Sequence, residues 1–191
     1  MHLIKHTEAI VLGFTPKRES DALVDLYTKE LGMIRAEARG VRNLRSKSRF
    51  ALQTYSVVAL DLIPLKKGWR IGSVRGILAP SPLSALQYSA LYKISKLITR
   101  LCPGQESHSD FFLSLRDTYT SLLSPIKDEK IVASMELVAV LRILFHLGYI
   151  TGDIPSDFVS SPITDTLLAD AYVLRTKLIK TVNQTLKETM L

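Results

Sequence analysis

The sequence has very little cysteine: Cys102 is the only one among 191 residues. A disulfide within the chain and a zinc site built from several cysteines are therefore both excluded. His2, His6, His108 and His146 are scattered without the spacing of metal ligands, so we expect no metal and no other cofactor. The lack of disulfides fits a reducing compartment, and we expect a cytoplasmic protein.

The sequence also lacks the patterns of known catalytic sites. It contains no Gly-rich phosphate loop that ends in Lys-Ser or Lys-Thr. Glu19 and Asp21 stand beside Lys17 and Arg18, which favours a turn over a carboxylate pair for acid-base chemistry. Cys102 stands at a predicted helix end, where packing is a commoner role than nucleophilic attack. We therefore expect a protein that is not an enzyme.

Long uncharged apolar runs are missing as well. The start of the chain, MHLIKHTEAIVLGF, has only a short apolar part and no small-residue cleavage site, unlike a signal peptide. The most apolar window, Ile131–Ile150, carries Glu136, Arg142 and His146 near its middle. Each of these charges would be costly at the centre of a bilayer. This window predicts a buried helix of a soluble protein, with no role for a membrane.

Charge is distributed unevenly along the chain. Residues 1–80 hold 14 Lys and Arg and 7 Asp and Glu, a net charge of +7, whereas residues 81–191 hold 11 of each. Such an excess favours acidic partners such as nucleic acid or anionic lipid. We therefore predict two domains: residues 1–80 for nucleic-acid binding, and residues 81–191 for partner binding and an additional nucleic-acid contact.

Residues 1–80 show the alternation that is typical of β-strands. In Ile34–Arg39, small or apolar residues alternate with charged ones, so one face lies inward. Gly72 and Gly76 indicate a bulge, a bend or a close backbone approach. Five short strands in about eighty residues predict a small closed barrel of the OB type. The predicted strands are Thr7–Phe14, Ala22–Thr28, Ile34–Arg39, Tyr55–Ile63, which Pro64 ends, and Trp69–Leu78.

Residues 81–191 carry the longer period that is typical of helices. Ser81 followed by Pro82 predicts the start of the first helix, and Pro103-Gly104 its end. Residues 151–163 predict a loop. The fold class is therefore α+β, an OB barrel followed by an all-helical domain. The other predicted helices are Phe111–Leu123, Glu129–Leu147, which is apolar almost all round and so central, and a last one from Asp165 to near the C-terminus.

The strongest functional feature is a basic run from Arg35 to Arg49, where six cations are accompanied by one acid, Glu37. Guanidinium groups donate two parallel hydrogen bonds to phosphate. Binding about four phosphates of a single strand would give a log–log salt slope of about −3. The alternative is a solvated face that merely keeps the protein soluble, although six cations repel one another without a partner. The predicted phosphate-binding residues are Arg35, Arg39, Arg42, Arg45, Lys47 and Arg49.

Aromatic residues of the barrel segment are candidates for stacking on bases, which contributes about 1–3 kcal/mol for each base. An apolar aromatic in a strand is more often part of the core. Phe50 and Tyr55 flank the basic run and are the first candidates, with Trp69 next; Phe14 and Tyr27 also lie in this segment.

A second group of cations occurs in the helical half. Lys93, Lys96 and Arg100 share one face of the first predicted helix. They are candidates for binding an acidic partner or more of the nucleic-acid backbone. The alternative is an ordinary solvated helix face.

Four segments resemble, in their order and spacing, the sequence of one known family. They are Thr7–Leu12 (TEAIVL), Glu19–Gly32 (ESDALVDLYTKELG), Ala38–Ser56 (ARGVRNLRSKSRFALQTYS) and Leu144–Tyr149 (LFHLGY). The family is that of the RecO proteins of bacterial recombinational repair. Many of its members carry a four-cysteine zinc module after the Leu-Gly-Tyr element. This chain has GDIPSDFVSSPITD there, so it resembles the shorter members, and zinc is not expected.

The resemblance implies an N-terminal OB-fold and a helical C-terminal domain. It further implies binding of single- and double-stranded DNA, annealing of complementary strands, and association with the nucleoid. RecR and single-strand binding protein would be partners, and together they would help to load RecA onto DNA. By position, five residues fall in the family's basic DNA-facing stretch: Arg39, Arg42, Arg45, Lys47 and Arg49.

Two other functions are compatible with the residues. A basic OB barrel also serves RNA-binding and translation-related proteins, and nothing in the sequence distinguishes a 2′-hydroxyl. A structural scaffold, whose helical half holds partners while the basic run is incidental, is the other alternative.

Overall fold

The computed structural model describes residues 3–102, 104, 106, 108–126, 128–150 and 154–188. The chain divides into two compact units. The first consists of Met1–Ser81 and Cys102–Phe112, and the second of Pro82–Leu101 and Leu113–Leu191. A segment from beyond the first predicted helix thus belongs to the N-terminal unit. The assignment of separate functions to residues 1–80 and 81–191 stays a prediction.

The first unit is built around a closed barrel of five strands. Around the barrel the strands follow the order β1-β2-β3-β5-β4. Neighbours pair antiparallel, except that β3 and β5 run parallel. This closed five-stranded barrel confirms the predicted OB-type fold. The strands are β1 (Lys5–Lys17), β2 (Asp21–Thr28), β3 (Gly32–Ala38), β4 (Val57–Pro64) and β5 (Trp69–Leu78).

Alternating residues of the strands fill the barrel. Val24 and Leu26 of β2 are fully buried, and Ile34 of β3 is almost so. Tyr27 lies on the opposite face of β2, yet it is only 1% exposed. The reason is Phe111 of the same unit, whose ring packs edge-on against Tyr27 with centroids 5.2 Å apart. The outer face of β2 is therefore covered by apolar packing at this point.

Two strand details differ from or refine the sequence prediction. The fourth strand begins at Val57 and includes Pro64, whereas Tyr55 lies before it with a φ of 75°. Gly72 is the extra residue of a β-bulge, because the β4–β5 register skips it. The predicted bulge is therefore present. The nearest group to a Cβ atom at Gly72 would be the side chain of Ile63, with its Cδ1 atom 2.9 Å away, rather than another backbone.

The first long helix begins later than predicted. It starts at Ala85 rather than at Pro82. The backbone N–H of Gln87 donates to the Ser84 hydroxyl at 3.2 Å, and the backbone N–H of Ser84 donates to the Gln87 side chain at 3.0 Å. This reciprocal pair is a capping box, which satisfies two backbone donors at the helix start. Pro103, predicted to end this helix, lies outside the described residues.

The remaining helices extend or divide the predicted ones. The predicted loop over residues 151–163 contains a short helix, and the single last helix is divided at Leu174. The second long helix begins two residues earlier than predicted, at Ser109. The helices are α1 (Ser48–Ala51), α2 (Ala85–Leu101), α3 (Ser109–Leu123), α4 (Glu129–His146), α5 (Ser156–Ser160), α6 (Asp165–Val173) and α7 (Arg175–Glu188).

Helix α4 is the centre of the second unit, as its apolar sequence predicts. Its buried residues include the four consecutive positions 141–144, and it contacts α2, α5, α6 and α7. Arg142, only 2% exposed, donates to the carbonyl oxygens of Phe158 and Ser161 and to a carboxylate oxygen of Asp117 at 3.1 Å. One buried guanidinium thus joins α3, α4 and the segment around α5. No described helix has the length and apolar character needed to cross a membrane.

Candidate nucleic-acid interface

The basic run leaves the barrel as a loop that is anchored at both ends. We call residues 42–51 the basic loop; it lies between Val41 and Leu52, which are 1% and 2% exposed and belong to the barrel core. Ser56 is itself buried, and its hydroxyl oxygen lies 2.7 Å from the carbonyl oxygens of both Ala51 and Gln53, which share its single proton. The loop is therefore held by the core at both ends while its own side chains face outward.

The turn between β1 and β2 is fastened to the start of the basic loop. The backbone N–H of Arg42 donates to the carbonyl oxygen of Ser20 at 2.9 Å. The Arg42 guanidinium donates to the carbonyl oxygen of Arg18, also at 2.9 Å. The exposed Arg18, whose φ of 57° is unusual for a residue other than glycine, is thereby brought beside the basic loop. We did not predict Arg18 or Lys17 as site residues, because the sequence indicates only a turn there.

Asp21 strengthens the same junction. Its carboxylate accepts a hydrogen bond of 2.8 Å from the backbone N–H of Gly40. This bond, together with bonding from Ser20 and the charges of Arg18 and Arg39, holds the pKa of Asp21 below its ordinary value despite some opposing desolvation. Asp21 is therefore ionised at neutral pH and fixes the backbone where β3 leads into the loop.

Glu37 is shared by two of the cations. Its Oε1 atom lies 3.9 Å from Nζ of Lys17 and 3.6 Å from Nε of Arg39. The Glu37 side chain is only 11% exposed, whereas the two cations are 39% and 57% exposed. One carboxylate beside two cations leaves the group positive, and the charged ends remain accessible to an anion.

Arg35 differs from the other predicted phosphate-binding residues. Its Nε and Nη2 atoms donate to the two carboxylate oxygens of Asp25 at 2.5 and 3.1 Å. This bidentate bonding, and the charge of Asp25, raise the pKa of Arg35 above its ordinary value. The two guanidinium donors that would bind a phosphate are therefore already used by Asp25 of the neighbouring strand β2.

The middle of the basic loop carries the accessible cations. Arg45, Lys47 and Arg49 are exposed, and within the described residues none of them forms an ion pair or a side-chain hydrogen bond. Three like charges without a nearby acid repel one another, which destabilises the free protein and favours binding of an anion.

The aromatic candidates fall into two groups. Phe50, in α1, is 67% exposed and is available to a base. Trp69 is half-buried and packs on the barrel core. Tyr55 is also half-buried, and its backbone N–H donates to the carbonyl oxygen of Val11 at 2.7 Å. Phe50 therefore presents the most open ring of the three predicted contacts. Of the two other aromatic candidates, Phe14 packs on the core and Tyr27 is buried.

The cations of α2 are exposed but not equivalent. Nζ of Lys93 lies 2.9 and 3.1 Å from the two carboxylate oxygens of Glu136, so its charge is compensated. Nζ of Lys96 lies 5.6 Å from the centre of the Tyr92 ring. Arg100 is exposed, with no ion pair among the residues described. Lys96 and Arg100 therefore retain more capacity for an acidic partner than Lys93 does.

Two other kinds of site, a metal-binding cluster and a reactive thiol, are absent from the described residues. The described residues contain no cluster of three or more His, Cys, Asp and Glu side chains that could hold a metal ion. Burial raises the pKa of Cys102 to about 11, so its thiol is protonated at neutral pH and poorly nucleophilic.

Known proteins resemble this chain in sequence. Residues 1–77 match the family model described as recombination protein O N terminal. Proteins named DNA repair protein RecO from Salmonella paratyphi B, Salmonella newport and Salmonella agona are each 29% identical over 143 residues. The match covers 74% of this chain, but it spans only 57% of the length of each relative.

Proposed function

We propose that the protein is a non-enzymatic mediator of DNA repair and recombination, a function that the match of residues 1–77 to the recombination protein O N-terminal model supports. It binds single- and double-stranded DNA and anneals complementary strands. The observation that carries the proposal is the basic loop, which the core holds at Val41 and Leu52 while its cations remain uncompensated. The proposed contacts are Arg18, Arg39, Arg42, Arg45, Lys47 and Arg49, with Phe50 stacking on a base.

Annealing needs two mutually repelling polyanions to come together. Cations that bind phosphates release counterions, which lowers the repulsion between the strands and favours pairing. No covalent bond is made or broken, so the step requires binding groups but no catalytic residue. The fork of Arg35 is occupied by Asp25, so we assign Arg35 a structural pairing role with only a long-range electrostatic contribution.

The helical unit would recruit partners. We assign the acidic, hydrophobic tail of single-strand binding protein to the exposed Lys96 and Arg100, with Lys93 contributing only if its pair with Glu136 opens. With RecR, the protein would then help to load RecA onto DNA coated by single-strand binding protein. Reversing both charges, Lys96→Glu with Arg100→Glu, should weaken binding of the tail peptide while annealing of bare strands persists.

The central test is strand annealing by charge-reversal variants. Replacing Arg42, Arg45 and Lys47 by Glu should abolish annealing, because the loop would then repel phosphate. Two double variants form a matched pair. One combines Arg45→Glu and Lys47→Glu in the basic loop, and the control combines Lys5→Glu and Lys29→Glu, which makes the same charge change elsewhere on the barrel. Thermal unfolding of each variant checks the fold.

Three results would contradict this proposal. Annealing that survives in the triple variant would exclude the basic loop as the site. A flat salt dependence of DNA binding would favour a scaffold with an incidental basic surface. Competition between DNA and RNA of the same sequence at fixed salt decides whether the barrel prefers DNA, and tighter RNA binding would contradict the proposal.

A further inference from the structure

Leu44 is the most exposed large apolar side chain among the residues that the structure describes, at 83% of its full exposure. Single exposed leucines are common on protein surfaces. Leu44 is unusual because of its surroundings: it lies between Arg42 and Arg45 in a loop whose other exposed side chains are nearly all polar or basic. An apolar side chain in this position would contact the same anionic ligand that the neighbouring cations bind.

The backbone holds Leu44 outward in a series of hydrogen-bonded turns. The N–H of Asn43 donates to the carbonyl oxygen of Gly40 at 3.2 Å, and the N–H of Ser46 donates to that of Asn43 at 3.0 Å. Leu44 and Arg45 are the two central residues of this second turn. Both residues are exposed, so this one turn presents Leu44 and Arg45 to solvent side by side along the chain.

We propose that Leu44 is a wedge that enters the base stack of duplex DNA, an inference that rests on the proposed function. An aliphatic side chain inserted between two base pairs partly unstacks them and kinks the duplex. Arg45 projects from the same turn, so phosphate binding would hold the wedge against the bases. Opening a step that is already interrupted requires less energy than opening an intact one. The favoured substrate is therefore a duplex with a nick or a gap.

A membrane is the other surface that combines apolar and cationic groups. Membrane-binding segments need a broad apolar face or more than one anchoring group, whereas Leu44 and Phe50 are the only large apolar side chains of the basic loop that are mostly exposed. Three of the four loop cations are arginines, whose planar forks suit phosphodiester oxygens. These observations favour bases over lipid as the target of the wedge.

The test uses the full-length chain and duplexes that carry 2-aminopurine, a base whose fluorescence rises when it unstacks. One duplex is nicked beside the probe and the other is intact. The variants are Leu44→Ala and, as a matched control, Leu3→Ala. Leu3 is 72% exposed and precedes β1, at the strand end opposite the Arg18 turn.

The native chain and the Leu3 variant should raise the fluorescence and bind the nicked duplex about tenfold more tightly than the intact one. The Leu44 variant should lose both effects and keep the salt slope. Persistence of both effects in that variant would overturn the wedge. Salt-dependent DNA binding by the native chain without unstacking would overturn the wedge alone, whereas no DNA binding at low salt would overturn the proposed function as well. Binding to anionic vesicles that depends on Leu44, with DNA binding unchanged, would assign the side chain to lipid.

Discussion

The carboxylate of Asp21 and the backbone N–H of Gly40 are joined by a hydrogen bond of 2.8 Å that connects the start of β2 to the end of β3. Residues that are far apart in sequence are thereby fixed side by side, and the basic turn that precedes Asp21 lies beside the basic loop that follows Gly40. Arg18 and Arg42 meet across this junction, where the guanidinium of Arg42 donates to the carbonyl oxygen of Arg18.

The first prediction concerns the stability that this bond contributes. Because the folded state holds the pKa of Asp21 below its value in the unfolded chain, which is about 3.9, the contribution is present above that value. It is lost as the pH falls through the lower, folded-state pKa. Asp21→Asn should therefore unfold at lower urea concentration than the native chain near neutral pH.

In strong acid the two proteins should unfold together, because the carboxyl of the native chain is then also neutral. A difference that is equal at both pH values would show that the charge of Asp21 plays no part. Urea titrations followed by circular dichroism provide the measurement.

The second prediction separates two arginines of the same basic run. Arg45→Ala should reduce the magnitude of the salt slope for single-stranded DNA by about 0.7, since one phosphate contact is lost. Arg35→Ala should leave that slope nearly unchanged, because Asp25 already occupies the fork of Arg35. Fluorescence anisotropy over a series of salt concentrations measures both slopes, and an equal reduction in the two variants would contradict the assignment.

The third prediction distinguishes a ring that binds from a ring that packs. Phe50→Ala should weaken binding of single-stranded DNA by about 1–3 kcal/mol with little change in the free energy of unfolding, since Phe50 is mostly exposed. Trp69→Ala should instead lower the free energy of unfolding, because Trp69 packs on the barrel core. If Phe50→Ala destabilised the fold and left DNA affinity intact, the roles would be reversed.

The fourth prediction concerns the second unit. Arg142→Met should lower the free energy of unfolding by about 3 kcal/mol or more, because two carbonyl oxygens and Asp117 lose their donor. Arg142→Lys should recover only part of this loss, since a single ammonium group lacks the planar set of donors. The exposed Lys130→Met serves as a control. Full recovery by lysine would indicate that charge, rather than the geometry of the guanidinium, is what α4 requires.

The barrel was the more predictable part of the fold. Strand β3 alternates cleanly between Ile34, Ala36 and Ala38 on one face and charged residues on the other, and burial follows this pattern. The burial of Tyr27 depends on Phe111, a contact between distant residues that no local pattern contains. The division of the last helix at Leu174 has neither glycine nor proline to indicate it. The start of α2 is different, since Ser84 and Gln87 have the spacing of a capping box, a local signal that competes in the sequence with Ser81-Pro82.

The candidate site was predictable in composition but not in arrangement. The cations of the basic loop are evident from the sequence because they are consecutive along the chain. The contribution of Arg18 depends on bonds to Arg42, and the neutralisation of Arg35 depends on Asp25 in the neighbouring strand. Both effects depend on which residues of neighbouring strands lie side by side. That register is set when the barrel closes and cannot be read from a local sequence pattern.

Because Val41 and Leu52 fasten both ends of the basic loop inside the barrel, the ten positions between them contribute little to the core. Evolution can therefore retune this stretch independently of folding. Each arginine gained or lost there changes the slope of log affinity against log salt concentration by about 0.7 for a single strand. Substitutions confined to the basic loop would therefore change the salt dependence of anion binding while the barrel core stays the same.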